Sequence, residues 1–131
     1  MKNTMCISDF FEKKLGAPLR CKRRSWGSAR PTGEVVLRVW KDEIKRIDGK
    51  QCALVLNKEF VSDDRFGNSE RVDHLSMIDK GALAVCVICT SSESRPRKIT
   101  HYNDRDLWQA TELKHVNGSI YLLLENKVTL Y

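Results

Sequence analysis

The chain has 131 residues, of which 41% are hydrophobic and 31% charged, and its formal net charge is +6. This composition excludes a disordered chain and a fibrous repeat, and the length predicts a single domain over residues 1–131. The longest apolar run, Ala82–Cys89, is too short to cross a membrane as a helix, so we expect no membrane association. Five irregularly spaced cysteines and an N-terminus without a long apolar stretch predict a cytoplasmic protein with reduced thiols.

The positive charge is concentrated at one end of the chain. Residues 1–33 hold eight basic and two acidic side chains, whereas residues 34–131 hold fifteen of each. The sequence therefore predicts a basic helix and loop over residues 1–33 and an electrically balanced, β-rich body over residues 34–131. A local excess of this kind favours an anionic partner for the first quarter of the chain.

The first predicted element is a short helix. Ser8 can cap its start, and Gly16 can end it in the left-handed conformation. Apolar residues at spacing four predict its buried side, formed by Ile7, Phe11 and Leu15.

The middle of the chain combines strand and helix signals. β-Branched and aromatic residues predict strands over residues 34–40 and 52–56, with Asp48-Gly49 as a turn between them. Residues 69–80 predict a second helix, with His74 on its polar face and Gly81 at its end. Its predicted buried side holds Val72, Leu75 and Ile78.

The last third predicts mostly strands. The apolar run over residues 82–90 predicts a central strand, and residues 97–102 predict another. Asn103 can cap a short turn that extends to Trp108. Residues 112–116 and 119–124 predict a hairpin around Asn117-Gly118, and residues 127–131 would complete a three-strand meander. The expected fold class is α+β, with a curved mixed or mainly antiparallel sheet, or partly open barrel, and two or three short helices.

The segment Arg20–Arg30 is the strongest functional signal, because it combines five basic residues with Trp26 and no acid. Basic groups neutralise phosphates, and an indole offers a face on which a base can stack. A second cluster of basic residues lies in the segment Arg95–Lys98. The predicted nucleic-acid-binding residues are Arg20, Lys22, Arg23, Arg24, Arg30, Arg97 and Lys98. In the alternative interpretation Trp26 is a core residue and the cations form a solvated rim.

Four aromatic residues are candidates for the wall of a base pocket. They are Trp26, Trp40, Tyr102 and Trp108. For Trp40 and Trp108 the competing interpretation is core packing, since large aromatic side chains dominate protein interiors.

Two motifs suggest metal chemistry, and neither has the partners it needs. Cys86 and Cys89 lie in an apolar strand whose alternation places them on opposite faces, and no second cysteine pair has zinc-site spacing. We therefore expect buried, inert thiols. Glu43 and Lys45 match half of a metal-dependent nuclease site, but no suitable aspartate precedes them on a strand. No catalytic residue, metal site or cofactor is predicted.

The basic, tryptophan-containing stretch Lys22–Gly27, the strand Val35–Trp40 and the C-terminal meander together resemble the PUA-like superfamily. Its relatives include the EVE, ASCH and YTH-type readers, and the resemblance covers nearly the whole chain. It implies binding of RNA or modified DNA, with a flipped base held between aromatic walls. Carried over to this sequence, it implies pocket roles for Trp26, Trp40 and Trp108. It also implies backbone contacts for Arg20, Arg23, Arg24 and Lys98.

Three functional hypotheses follow from the sequence. The first is a non-enzymatic module that binds DNA or RNA, including a reader of a modified or flipped base. The second is a protein-interaction or adaptor domain that meets an acidic surface, with Trp26 as an anchor. The third is a metal-dependent nuclease that uses Glu43 and Lys45. A separately encoded catalytic or partner protein is compatible with each of them.

Overall fold

A computed structural model describes residues 5–20, 25–57, 66–92 and 98–130, which form an α+β fold with two β-sheets. Helix α1 (Ile7–Asp9) continues into a π-helical turn (Phe10–Lys14), a 3-10 turn covers Lys41–Glu43, and α2 spans Phe66–Asp79. The strands are β1 (Gly27–Ala29), β2 (Val35–Trp40), β3 (Ile44–Ile47), β4 (Lys50–Leu56), β5 (Ala84–Ser91), β6 (Ile99–Tyr102), β7 (Asp106–Ala110), β8 (Leu113–Val116), β9 (Ser119–Leu123) and β10 (Asn126–Thr129).

The mixed sheet has the order β1-β2-β5-β7-β10, with β6 also paired to β5. Its centre is the parallel pair β2 and β5, while the remaining pairs are antiparallel. The predicted central strand over residues 82–90 is therefore confirmed as β5, which has partners on both sides. β1 lies close to β2, because a Cβ atom on Gly27 would stand 2.5 Å from the Val36 carbonyl oxygen.

The antiparallel sheet has the order β3-β4-β9-β8. The sequence predictions of its two tight turns are confirmed, since Asp48, Gly49, Asn117 and Gly118 all have positive φ. Positive φ at both central positions is the signature of a type I′ hairpin turn. An ion pair of 3.3 Å joins Asp48, at the β3–β4 turn, to Lys114 on the opposite edge strand β8. The sheet therefore curls, and this contact connects its two sides.

The structure corrects three expectations about the body. It contains two sheets rather than one, and Trp108 lies in strand β7 rather than in a turn after Asn103. The last strand, β10, pairs with β7 and does not extend the hairpin into a meander. The reason is that β9 already pairs with β4 on one side and β8 on the other, so it has no free edge.

Helix α1 and the π turn that follows it cover one face of the mixed sheet, which we call its outer face. Cys6 occupies its N-cap position, so the predicted cap at Ser8 was wrong, whereas Gly16 has φ +65° and ends the helical segment as expected. The wider π turn lets the consecutive residues Phe10 and Phe11 both become buried. Their packing joins residues 5–20 to the β-rich body.

Helix α2 ends before Gly81, as predicted, but its buried face differs from the expectation. Val72 is 43% exposed, while Arg71 is only 4% exposed and His74 only 7%. Leu75 and Ile78 are buried as expected. The buried face of α2 therefore consists of Leu75 and Ile78 together with the polar residues Arg71 and His74. His74 was wrongly assigned to the polar face, because the helix is rotated relative to the predicted orientation.

Hydrophobic residues form three clusters. The central core combines β2, β4, β5, β7 and β9 with α2, and the outer core lies between the mixed sheet and the N-terminal segment. The third cluster lies on the other face of the antiparallel sheet, around Cys52 and Tyr121. In the described part of the chain, no helix has the length and apolar character needed to cross a membrane.

Candidate functional site

Trp40 and Tyr102 lie together with Phe10 in the outer core, and we call these three residues the outer aromatic cluster. The rings of Phe10 and Tyr102 are 5.0 Å apart, and the Tyr102 hydroxyl donates a 2.7 Å hydrogen bond to the Met5 carbonyl. Tyr102 is only 5% exposed. The cluster holds the N-terminal segment on the sheet.

Trp108 lies on the opposite face of the same sheet. It is in register with Cys86 and packs against the central core. Trp40 and Tyr102 are both in register with Cys89, on the outer face. The structure therefore does not bring the four aromatic candidates around one pocket.

Trp26 is the tryptophan that packs against none of the three cores. It is half-buried and directly precedes β1. Its carbonyl oxygen accepts hydrogen bonds of 2.9 Å from the amide of Arg38 and from Nη2 of Arg71. Its amide N–H helps to lower the pKa of the Glu70 carboxyl, against the larger effect of burial, which raises it. Polar contacts, rather than apolar packing, therefore fix the position of this residue.

Arg71 is the structural centre of this arrangement. Its Nη1 donates to the Val55 carbonyl at 2.7 Å, and its Nη2 donates at 2.9 Å to the carbonyls of Trp26 and Arg38. The guanidinium therefore links α2, the antiparallel sheet and the first two strands of the mixed sheet. It also lies 5.6 Å from the centre of the Trp26 ring, within cation–π range. Burial, followed by repulsion from Arg38, lowers the pKa of Arg71 to about 10.

Glu70 supplies the negative charge. One carboxylate oxygen accepts a 3.2 Å hydrogen bond from the Ser25 hydroxyl, and Arg20 and Arg71 both stabilise the ionised form. Burial is nevertheless the largest influence and raises the pKa of Glu70. The other carboxylate oxygen is buried without a hydrogen-bond partner in the described part of the chain.

Arg38 completes the group, which we call the Trp26 cluster and which comprises Arg20, Trp26, Arg38, Glu70 and Arg71. Its half-buried guanidinium has no hydrogen bond or ion pair with a described residue. Burial lowers the pKa of Arg38, while Glu70 acts in the opposite direction. The cluster thus contains three guanidinium groups and one carboxylate, so it carries an excess of positive charge.

His74 lies one helical turn beyond Glu70 and Arg71. Its Nδ1 atom is buried and has no hydrogen-bond partner among the described residues. Burial is the main cause that lowers the pKa of His74, and Arg71 lowers it further. A neutral imidazole therefore fits this position next to the Arg71 guanidinium.

The predicted basic residues have different positions. Arg20 is exposed and interacts electrostatically with Glu70, so it belongs to the Trp26 cluster. Arg30 is held inside the protein, since its Nε donates at 2.6 Å to the Leu15 carbonyl and its Nη1 lies 3.4 Å from Glu34. Lys98 is exposed beside Ser92. The predictions for Lys22, Arg23, Arg24 and Arg97 concern positions outside the described residues.

The remaining sequence motifs show no assembled chemistry. Burial raises the pKa of Cys86 and of Cys89 to about 12, and the two thiols lie in different cores, as the alternation predicted. The Lys45 ammonium lies over the Tyr121 ring at 4.8 Å. Across the described ranges, no three His, Cys, Asp or Glu residues form a group that could hold a metal ion.

Comparison with known proteins gives no relative: no protein-family model, curated protein or solved structure matches the chain. The assignment of a function therefore depends on the geometry of the Trp26 cluster.

Sequence reasoning singled out Arg20 and Trp26 but missed Arg38, Glu70 and Arg71. Two signals were present. Arg38 interrupts the otherwise apolar strand Val35–Trp40, and Arg71 continues the helical spacing of Leu75 and Ile78. A cation at a position where the pattern expects an apolar residue points to buried polar contacts.

Proposed function

We propose that this chain is a non-enzymatic nucleic-acid-binding domain in which Trp26 stacks on a base while neighbouring cations contact phosphates. The observation that carries this proposal is the setting of Trp26, which is half-buried, packs against no core, and has Arg71 over its ring and the Arg38 amide bonded to its carbonyl. An indole stacks on any base, and guanidinium groups pair with phosphates.

The hydrogen bonds to the Trp26 backbone support the same proposal. They fix the residue before a ligand arrives, and a preorganised aromatic group loses little conformational freedom on binding. Arg71 has a positioning role here, since it donates to the Trp26 carbonyl, and Glu70 accepts a hydrogen bond from the preceding residue, Ser25.

A single stacking residue suits a single base. A base in a duplex must leave the helical stack to reach such a residue, which costs least at a mismatched, damaged or single-stranded position. We therefore propose a single-stranded segment or an extruded base as the ligand. A reader of a modified base, of the PUA-like type, is the more specific form of this proposal.

Titration with short single-stranded DNA and RNA oligonucleotides over a range of salt concentrations tests the proposal. We expect log K to fall with log salt for the wild type, because phosphate contacts release counterions. Trp26→Ala should weaken binding about tenfold, since stacking contributes about 1–3 kcal/mol per base. Trp26→Phe, which keeps a flat ring, should retain most of the affinity.

The contrary outcome is an absence of binding to DNA and RNA at low salt. The Trp26 cluster would then be better explained as an interface with an acidic protein, since Trp and Arg are also frequent anchors of protein interfaces. Capture of a partner protein that survives nuclease treatment and is lost in Trp26→Ala would support that alternative.

A further inference from the structure

Arg38 differs from the other described arginines because it is half-buried and its guanidinium makes no hydrogen bond or ion pair with a described residue. Arg30, Arg46 and Arg71 donate side-chain hydrogen bonds to carbonyl oxygens, and Arg20 also has an interaction. Arg105 also makes no side-chain hydrogen bond within the described ranges, but it is exposed to water. None of the Arg38 side-chain nitrogens is among the fully buried atoms that lack a partner, so they keep contact with water and a ligand can reach them.

The surroundings of Arg38 favour an anionic ligand. Arg38 and Arg71 repel each other, and the Coulomb effect of Arg38 is the second cause that lowers the pKa of Arg71. Arg71 already uses both Nη atoms on carbonyl oxygens, whereas the Arg38 side chain donates no hydrogen bond to a described residue. Glu70 is the single carboxylate in a cluster of three guanidinium groups, so the cluster has fewer negative than positive charges.

We propose that Arg38 binds one backbone phosphate of the nucleic acid, in the nucleotide whose base stacks on Trp26 or in the adjacent one. This inference depends on the proposed function. The Arg38 amide donates directly to the Trp26 carbonyl, so the two residues face each other across the β1–β2 edge. A guanidinium fork matches two phosphate oxygens, and the ligand would supply the negative charge that the cluster lacks.

The experiment compares Arg38→Gln with Arg105→Gln, a variant that removes the same charge from an exposed side chain. Each protein is titrated with single-stranded oligonucleotides in which one phosphate at a time is replaced by an uncharged methylphosphonate. We expect one replacement to weaken wild-type binding about tenfold, the size of a lost charged hydrogen bond. The same replacement should leave binding by Arg38→Gln unchanged. Arg105→Gln should behave like the wild type in this scan.

Two further measurements complete the test. The salt slope of Arg38→Gln should be smaller by about 0.7, the value for one phosphate contact on a single strand. Arg38→Lys should keep the slope but lose affinity, since an ammonium cannot reproduce the bidentate contact. If Arg38→Gln does not fold, the affinity and salt slope of Arg38→Lys provide the test instead. Addition of inorganic phosphate at constant ionic strength should compete only weakly, because a free anion lacks the stacked base.

The outcomes separate the two proposals. If the wild type binds nucleic acid but Arg38→Gln keeps both the slope and the methylphosphonate sensitivity, the Arg38 inference is wrong and the proposed function stands. If inorganic phosphate displaces the oligonucleotide as well as a competing oligonucleotide does, Arg38 is a simple anion site and the inference is also wrong. If the wild type binds no nucleic acid, both proposals are wrong.

Discussion

The outer aromatic cluster and the Trp26 cluster place aromatic rings in opposite environments. Phe10, Trp40 and Tyr102 pack among apolar side chains, and their role is to hold the N-terminal segment on the mixed sheet. Trp26 also has an aromatic ring, but the Arg71 guanidinium lies over it and no apolar core packs against it. The comparison shows that the type of neighbour, rather than the aromatic residue itself, separates a structural ring from a candidate binding surface.

The largest predicted effect concerns stability. Phe10→Ala should lower the free energy of unfolding by about 3–5 kcal/mol, because it leaves a cavity at a residue only 3% exposed. Trp26→Ala should cost about 1 kcal/mol or less, since the ring packs against no core. Urea unfolding of both variants provides the measurement. Equal losses would remove the distinction between the two clusters.

The second prediction concerns the buried guanidinium. Arg71→Met should lower the free energy of unfolding by about 3 kcal/mol, because three carbonyl oxygens lose their donor. Arg105→Met, at an exposed site, should change it by at most about 0.5 kcal/mol. A value for Arg71→Met close to that of the control would show that the Trp26 cluster does not depend on this residue.

The third prediction concerns the strand that carries Trp26. Gly27→Ala should cost about 1–3 kcal/mol, because the new Cβ would lie 2.5 Å from the Val36 carbonyl oxygen and 2.8 Å from Leu37 Cδ2. It should also weaken oligonucleotide binding, since β1 fixes the position of Trp26. Thermal unfolding and a binding titration measure the two effects. Unchanged stability would contradict the close approach of β1 and β2.

The smallest predicted effect depends on pH. Burial lowers the pKa of His74 below its ordinary value of 6.5, so the unfolded chain binds a proton more readily than the folded one. The stability that this group contributes is therefore present above pH 6.5 and is lost as the pH falls through and below that value. Glu70, whose pKa is raised, contributes in the opposite direction at acidic pH.

Comparison of the wild type with His74→Gln isolates the effect of His74, because Glu70 is common to both. Urea unfolding at a series of pH values should show a stronger loss of stability for the wild type as the pH falls below 6.5. Parallel curves for the two proteins would contradict a buried, neutral His74.

Local signals predicted much of the fold. The turns at Asp48-Gly49 and Asn117-Gly118 and the central strand β5 follow from short-range chemistry, and all are present. The pairing of β10 was not predictable in this way, because it depends on which strand edges remain free after β8 and β4 have paired with β9.

The candidate site was predicted only in part, for a related reason. Arg20 and Trp26 belong to one basic segment, whereas Glu70 is 45 residues from its partner Ser25 and Arg71 is 45 residues from its partner Trp26. A hydrophobic pattern does not distinguish a buried arginine that binds carbonyl oxygens from an exposed one. The predicted orientation of α2 therefore placed Val72 on the buried side, and the role of Arg71 in joining the two sheets was missed.

The most direct test of the central claim measures coupling between Trp26 and one base. Affinities of the wild type and of Trp26→Ala are determined for a single-stranded oligonucleotide and for versions in which one base at a time is replaced by an abasic site. Stacking on Trp26 predicts that one abasic replacement weakens binding by the wild type about tenfold and leaves binding by Trp26→Ala nearly unchanged. Equal sensitivity of the two proteins at every position would contradict stacking on Trp26.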